Sequence, residues 1–190
     1  NIGAGKKVQV EFVSANPTGP LSVAHGRAAA VGDCLANILR FLGYTVTKEY
    51  YVNDEGTQID ILGKSILARS KELLGEPGEF PENGYQGEYI YDIAKDCVEK
   101  SHSKKEQDFK FFSQFGLNYI MKIIKQELKD FRVEFDVFSN QSVIAKEGKV
   151  KKALGELKKK GFIYEQDGAT WFKSTAFGDD KDRVVIKSDA

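Results

Sequence analysis

The feature that most constrains the fold is a strand pattern, a rigid loop and a long helical pattern that lead into a second strand. Residues 8–13 have a strand-like pattern, and residues 14–20 contain the Asn, Pro and Gly residues that interrupt regular structure. We predict a helix over 24–42, stopped by Gly43, and a strand over 45–52 that is rich in Tyr, Thr and Val. This order predicts two parallel strands and an α/β fold, in which ligands bind beyond the carboxyl ends of the strands.

The predicted helix over 24–42 is apolar on almost every side. A helix with that pattern is buried on most of its surface. We therefore expect it to lie inside the fold, with Cys34 as a core residue rather than a nucleophile.

Helical stretches and loops alternate over the rest of the chain. Helices are predicted from 53 or 54 to 74, over 87–100, over 104–130 and over 143–160, where Gly161 ends the last one. The Gly- and Pro-rich loop 75–87 separates the first two of these helices, and Asp167-Gly168 predicts a hairpin between strands 162–165 and 169–173. A last strand is predicted over 183–187. We interpret 1–74 as the first half of a nucleotide-binding fold, 75–140 as a helical insertion, and 141–190 as a helix, hairpin and strand that return to that fold.

Composition excludes several classes of protein. The chain has 28 basic and 28 acidic residues, a balance that argues against a purely electrostatic nucleic-acid binder. Its two cysteines and two histidines lack metal-ligand spacing, so we predict no metal site. Few cysteines, no signal-peptide pattern and no apolar run of about 20 residues predict a cytoplasmic protein. The run 158–160 of three lysines fits a solvated helix face or a contact with nucleic-acid phosphates.

The chemistry is expected where the first strand, the rigid loop and the start of the helix over 24–42 follow each other. A helix N-terminus carries free N–H groups and positive potential, so it is a natural phosphate site. His25 can add a hydrogen bond to a phosphoryl oxygen as charge builds there. Small residues in the loop let the backbone approach a ligand closely.

At this point the residues resemble a known family. The segment that resembles the HIGH signature of class I aminoacyl-tRNA synthetases is Ala15-Asn16-Pro17-Thr18-Gly19-Pro20-Leu21-Ser22-Val23-Ala24-His25. Four further stretches resemble the arginyl-tRNA synthetase family: EYYVNDEGTQI at 49–59, GFIYE at 161–165, DGATWFK at 167–173 and FGDDKDRVVIKSD at 177–189. The resemblance implies a Rossmann-like parallel sheet, the first part of a class I catalytic domain, with an inserted helical segment and a β-hairpin.

The resemblance also implies roles for single residues. Glu11 is expected near the guanidinium of the arginine substrate, Asn16 near its α-amino group, and Ser14 beside them. His25 and Ser22 are the expected catalytic residues. The expected ATP-binding residues are Thr18, Gly19, Pro20, Leu21, Ser22, Ala24, His25 and Gly26. The implied substrates are arginine, tRNA and ATP with Mg²⁺, and the implied state is a monomer.

Two residues depart from the family pattern, since Ser22 and Ala24 stand where the signature has His and Gly. Loss of a hydrogen bond to the transition state costs roughly 2.7–4 kcal/mol, so these changes weaken ATP binding or slow activation unless another group compensates. The chain begins at Asn1 without Met and stops at Ala190 after a strand pattern, so we interpret it as an inactive fragment. The family's KMSKS loop and anticodon-binding domain would then follow it, and its N-terminal tRNA-binding domain would precede it.

Three other interpretations stay open from the sequence. One is a nucleotidyltransferase that shares the HIGH-type loop and activates a different small acid. Another is a synthetase-derived binding module without catalysis, which the residues at 22 and 24 suggest. The third is a structural interaction domain that uses the lysine run at 158–160.

Overall fold

A computed structural model gives residues 1–100 and 108–188. The chain divides into two compact units, Asn1–Ser142 and Val143–Ala190. The elements are β1 (Lys7–Glu11), α1 (Val23–Phe41), β2 (Thr45–Val52), α2 (Thr57–Leu73), α3 (Glu88–Lys100), α4 (Phe109–Asp130), β3 (Val137–Asn140), α5 (Gln141–Lys146), α6 (Lys149–Lys159), β4 (Ile163–Gln166), β5 (Ala169–Phe172), a 3₁₀ turn (Ser174–Phe177) and β6 (Arg183–Ile186). Among the described residues, no helix combines the length and apolar character of a membrane span.

The first unit is built on a parallel sheet with the order β1-β2-β3. The predicted parallel pairing of the first two strands is confirmed, with Glu11 opposite Glu49 at the carboxyl end of β1. The third strand, β3, was not predicted, and it lies at the end of the segment that we interpreted as a helical insertion. It pairs in parallel with the end of β2, so the chain re-enters this sheet after α4.

A core of aliphatic side chains holds α2, α3 and α4 together beside the sheet. Large side chains that are fully buried there include Leu62, Ile66, Ile90, Ile93, Ile120 and Ile124. The helices approach closely at two glycines. A Cβ at Gly63 would lie 2.5 Å from the Phe109 carbonyl oxygen, and a Cβ at Gly116 would collide with Ile66.

Helix α1 is much more exposed than we predicted. It packs through a face of small residues, Ala29, Gly32 and Ala36, which are its buried positions. Val31, Leu35 and Ile38 are 64%, 47% and 57% exposed, and Cys34 is exposed as well. Small residues allow the backbone to approach the sheet closely, and the larger apolar side chains then point away from it. An apolar composition on all sides could not indicate which side would be covered.

Two helices differ from the predicted ranges because of glycines with positive φ. Helix α2 begins at Thr57 rather than at 53 or 54, since Gly56 has φ 94°. The single helix predicted over 143–160 is two helices, α5 and α6, and Gly148 with φ 71° separates them. Helix α4 begins at Phe109 and is capped by the Asp108 side chain, whereas residues 104–107 of its predicted range lie outside the described residues.

The second unit contains an antiparallel sheet with the order β4-β5-β6. The predicted Asp-Gly hairpin is confirmed, because Asp167 and Gly168 both have positive φ, 52° and 74°, and join β4 to β5. The last strand, β6, pairs with β5. Residue 189, the end of the last family-like stretch, lies outside the described residues.

Candidate active site

The loop after β1 begins with a strained turn that Ser14 holds in place. Val13 and Ser14 both have positive φ, 66° and 38°, although neither is glycine. The Ser14 hydroxyl donates to Glu11 Oε1 at 2.8 Å and accepts from the Tyr51 N–H at 3.0 Å. Backbone strain in a β-branched residue persists only where surrounding contacts enforce it, and such strain is concentrated at functional sites. The hydrogen bonds of Ser14 therefore orient the Glu11 carboxylate at the carboxyl end of the sheet.

Asn16 is held by two other amide side chains. Its Nδ2 donates to Gln58 Oε1 at 2.8 Å, and its Oδ1 accepts from Asn53 Nδ2 at 3.4 Å. Gln58 lies in the first turn of α2 and Asn53 directly follows β2. An amide oxygen has two lone pairs, so Oδ1 can accept one further hydrogen bond.

Two tyrosine hydroxyls hold the next part of the loop. Tyr50 donates to the Ala15 carbonyl at 2.8 Å, and Tyr89 donates to the Thr18 carbonyl at 2.8 Å. Burial raises the pKa of Tyr50 to about 12, although its bond to Ala15 acts in the opposite direction. Burial, and then the nearby Tyr85, raises the pKa of Tyr89 as well. Both phenols therefore remain neutral donors near pH 7.

His25 lies in the first turn of α1, and its ring faces the residue before the helix. The Ser22 N–H donates to His25 Nδ1 at 3.0 Å, and the Ser22 hydroxyl is 3.1 Å from the same nitrogen. A backbone N–H can only donate, so Nδ1 carries no proton in this arrangement and the neutral ring has its proton on Nε2. His25 thus presents an Nε2–H donor at the positive end of a helix whose first turn has no acidic residue.

An open pocket of about 440 Å³ brings part of this segment together. Its lining residues are Asn16, Thr18, Gly19, Pro20, His25, Tyr85 and Tyr89. Two of the other residues predicted to bind substrates, Glu11 and Ser14, contact each other and do not line this pocket. They precede the lining residues in the sequence. Leu21, Ser22, Ala24 and Gly26 also do not line it, although Ser22 contacts the His25 ring.

Two sets of residues at this site were not predicted from the sequence. Gln58 and Asn53 lie in a family-like stretch to which we assigned no role, and their contacts with Asn16 depend on the docking of α2. Tyr85 and Tyr89 lie where we predicted only an insertion. The glycines at 84 and 87 that alternate with these tyrosines were the one available indication of a structured loop.

The chain is similar to known proteins over nearly its whole length. The family described as tRNA synthetases class I (R), catalytic domain, matches residues 1–190. A relative named arginine–tRNA ligase in Geobacter sp. (strain M21) is 53% identical over 192 residues, which are 98% of this chain and 35% of that protein. One in Geobacillus kaustophilus is 52% identical over 194 residues, again covering 35% of that protein. The chain thus spans about a third of the length of these curated relatives.

Solved structures show the same relationship. A Campylobacter jejuni protein assigned as an arginyl-tRNA synthetase has a TM-score of 0.84 and 38% identity, covering 99% of this chain and 43% of that one. The arginyl-tRNA synthetase of Thermus thermophilus, at 20% identity and a TM-score of 0.64, shares the fold. With the match over its whole length, the chain belongs to the family of class I arginyl-tRNA synthetase catalytic domains.

Proposed function

We propose that this chain supplies the ATP- and arginine-binding site of an arginine–tRNA ligase that acts in the cytoplasm as a monomer. In the first step an oxygen of the arginine carboxylate attacks the α-phosphorus of ATP. The bond to the bridging oxygen breaks, so pyrophosphate leaves and arginyl-adenylate forms. In the second step a terminal ribose hydroxyl of tRNA attacks the arginyl carbonyl carbon and loses its proton, and AMP leaves. Mg²⁺ enters with ATP as part of the substrate.

The observation that carries the proposal is the orientation of His25 at the start of α1. The Ser22 amide occupies Nδ1, so the Nε2–H is the ring donor available to a phosphate. His25 lines the pocket with Thr18, Gly19 and Pro20, at the positive end of the helix. A preorganised donor of this kind stabilises the charge that develops on the phosphoryl oxygens.

The preceding turn supplies the groups that would bind arginine. Glu11 is the carboxylate for the guanidinium, and the Ser14 hydroxyl orients it through Oε1. Asn16 offers its Oδ1 to the α-ammonium group, with Gln58 fixing the orientation of the amide. Glu11 is the last residue of β1 and Asn16 lies in the loop after it, at the end of the strand where a parallel sheet binds its ligands.

Arginine-dependent exchange of pyrophosphate into ATP, with tRNA present, tests the first step. The assay uses the complete protein that contains this chain. His25→Ala is expected to lower the exchange rate by about 100- to 1,000-fold, because it removes a donor to the transition state. Far-UV circular dichroism of the variant should match wild type. A rate within threefold of wild type would reject the role of His25.

Glu11→Gln tests the arginine side of the site. The change keeps the shape of the side chain and removes its charge, so kcat/KM for arginine should fall by about 10- to 100-fold while KM for ATP stays unchanged. Glu134→Gln is the matched control, because Glu134 is exposed in the segment before β3. An equal loss in both variants, or none in Glu11→Gln, would contradict the assignment.

The 190-residue chain alone should show no arginine-dependent exchange, since it spans about a third of its relatives. Robust exchange by the chain alone would refute this expectation. Calorimetry with ATP on the complete protein distinguishes the enzyme from a module that has lost nucleotide binding. An absence of heat and of exchange would reject the ligase.

A further inference from the structure

We propose that Tyr89 is a positioning residue for ATP, which it serves by holding the Thr18–Gly19 backbone in place beside His25. The inference rests on the proposed function and extends it to a residue outside the HIGH-like segment. Tyr89 lies in α3, in the region that we interpreted as an insertion.

The contacts of Tyr89 are directed at the backbone of the loop. Its hydroxyl donates to the Thr18 carbonyl at 2.8 Å across 71 residues of sequence. A Cβ added at Gly19 would lie 3.2 Å from the same hydroxyl oxygen, so the ring end of Tyr89 also limits how far this backbone can move. Thr18, Gly19, His25 and Tyr89 line one pocket, which makes Tyr89 part of its wall.

Tyr89 is itself held by the core of the first unit. The next residue, Ile90, and Ile93 one turn later are fully buried. The segment before α3 is attached to α2, because the Tyr85 N–H donates to the buried Ser65 hydroxyl at 3.0 Å. The Thr18–Gly19 backbone is thus held by a helix, α3, that is itself fixed in the core.

The hydrogen bond can have only one direction. A carbonyl oxygen accepts and cannot donate, so the phenol must carry its proton for the bond to exist. Burial raises the pKa of Tyr89, so the proton is retained throughout the pH range of an enzyme assay. The bond itself is therefore expected to be independent of pH near neutrality.

Helix α3 offers a matched control in Tyr91. Its hydroxyl donates to Glu72 Oε1 at 2.9 Å, and its ring packs on Arg69, away from the Thr18 loop. Tyr89→Phe and Tyr91→Phe each remove one hydroxyl from the same helix and keep the ring. A difference between the two variants therefore reports the contact with the loop.

The test is steady-state pyrophosphate exchange by the complete protein with arginine, tRNA and varied ATP. Tyr89→Phe should raise KM for ATP about three- to tenfold, the effect of one neutral hydrogen bond. KM for arginine should stay at the wild-type value. Tyr91→Phe should leave both KM values within twofold. An unchanged KM for ATP in Tyr89→Phe, or equal changes in both variants or for both substrates, would overturn the inference.

A second measurement separates this inference from the proposed function. If the wild-type protein showed no arginine-dependent exchange, the ligase assignment would fail. Titration of the same three proteins with ATP in a calorimeter would still test Tyr89. A three- to tenfold weaker affinity in Tyr89→Phe alone supports the positioning role, and equal affinities in all three reject it.

Discussion

The two units of the chain are stabilised in different ways. In the first unit, side chains such as Ile66, Ile93 and Ile124 are fully buried between helices. In the second unit, among residues 143–188, only Ala169 and Ser174 are buried. Ring pairs there take the place of a core, for example Phe162 with Phe177 at 4.8 Å and Tyr164 with Trp171 at 6.4 Å.

Hydrogen bonds and ion pairs of carboxylates also stabilise the second unit. Asp182 accepts from the Thr175 hydroxyl at 2.7 Å and from the Tyr164 hydroxyl at 3.0 Å, and Arg183 makes a two-point contact with Asp179. Apolar burial is nondirectional and independent of protonation, whereas these contacts need charged carboxylates. We therefore expect the stability of the first unit to depend mainly on side-chain volume and that of the second unit mainly on charge.

The unfolding of the two units can be followed separately, because different spectroscopic probes report on them. Trp171 is the single tryptophan and lies in the second unit, so its fluorescence reports that unit. Most of the helical residues lie in the first unit, so far-UV circular dichroism mainly reports the unfolding of that unit. Both signals can be followed during urea denaturation of the 190-residue chain.

The largest effect should come from a cavity in the first unit. Ile66→Ala should lower the free energy of unfolding followed by circular dichroism by about 2–5 kcal/mol, because Ile66 is fully buried. Leu154→Ala is the counterpart in the second unit, where the side chain is half-buried and the loss should be about 1 kcal/mol. Equal losses at the two positions would contradict the proposed difference between the two units.

A smaller effect is expected from overpacking between helices. Gly63→Ala places a Cβ 2.5 Å from the Phe109 carbonyl oxygen and should destabilise the first unit by about 1–3 kcal/mol. Gly155→Ala, in α6, meets nothing within 4 Å and should stabilise its helix by about 0.5–1 kcal/mol. Opposite signs would support the difference in packing between the two units, and a destabilising effect of Gly155→Ala would contradict it.

Asp54 makes polar contacts within the first unit. Their loss should lower the free energy of unfolding by less than a cavity does. It accepts from Ser142 N–H at 2.9 Å, the Ser142 hydroxyl at 2.6 Å and Asn140 Nδ2 at 2.8 Å. Burial alone would raise the pKa of Asp54, but these hydrogen bonds outweigh it and lower the pKa below its ordinary value. Asp54→Asn should cost about 1 kcal/mol at pH 7, reduced by solvent screening because the group is partly exposed.

The sign of the pH dependence follows from the lowered pKa of Asp54. Its contribution is complete above the pKa of an unfolded aspartate, and it is lost as the pH falls through the lower folded value. Urea denaturation at pH 7 and pH 3 should therefore show a smaller difference between wild type and Asp54→Asn at the lower pH. A difference that grows on acidification would contradict the hydrogen-bonded carboxylate.

The smallest effect is a local titration in the second unit. Hydrogen bonds from the Thr175 hydroxyl and N–H lower the pKa of Asp182, so these contacts persist above the ordinary aspartate pKa and are lost at lower pH. The amide proton shift of Thr175 in NMR should titrate with a midpoint below the ordinary aspartate value. The Asp182→Asn variant should remove this titration, and a midpoint at or above the ordinary value would refute the contact.

Local features of the chain could be predicted from sequence. The parallel β1–α1–β2 unit follows from a change of period and from Gly43, whose φ of 90° ends the helix as expected. The hairpin follows from Asp167-Gly168, which adopts positive φ within two residues. The HIGH-like loop could be located because a strand end and a helix start lie next to each other in sequence. In each case the sequence signal lies within a short stretch of neighbouring residues.

Tertiary structure alone decided how the site is built and which surfaces are covered. Asn16 meets Gln58 across 42 residues and Thr18 meets Tyr89 across 71, and both contacts depend on how α2 and α3 pack. The exposed side of α1 was equally undetermined, because its apolar residues surround the helix and only close packing of Ala29, Gly32 and Ala36 selects a face. Periodicity describes one element at a time, whereas these outcomes come from the fit of several elements against each other.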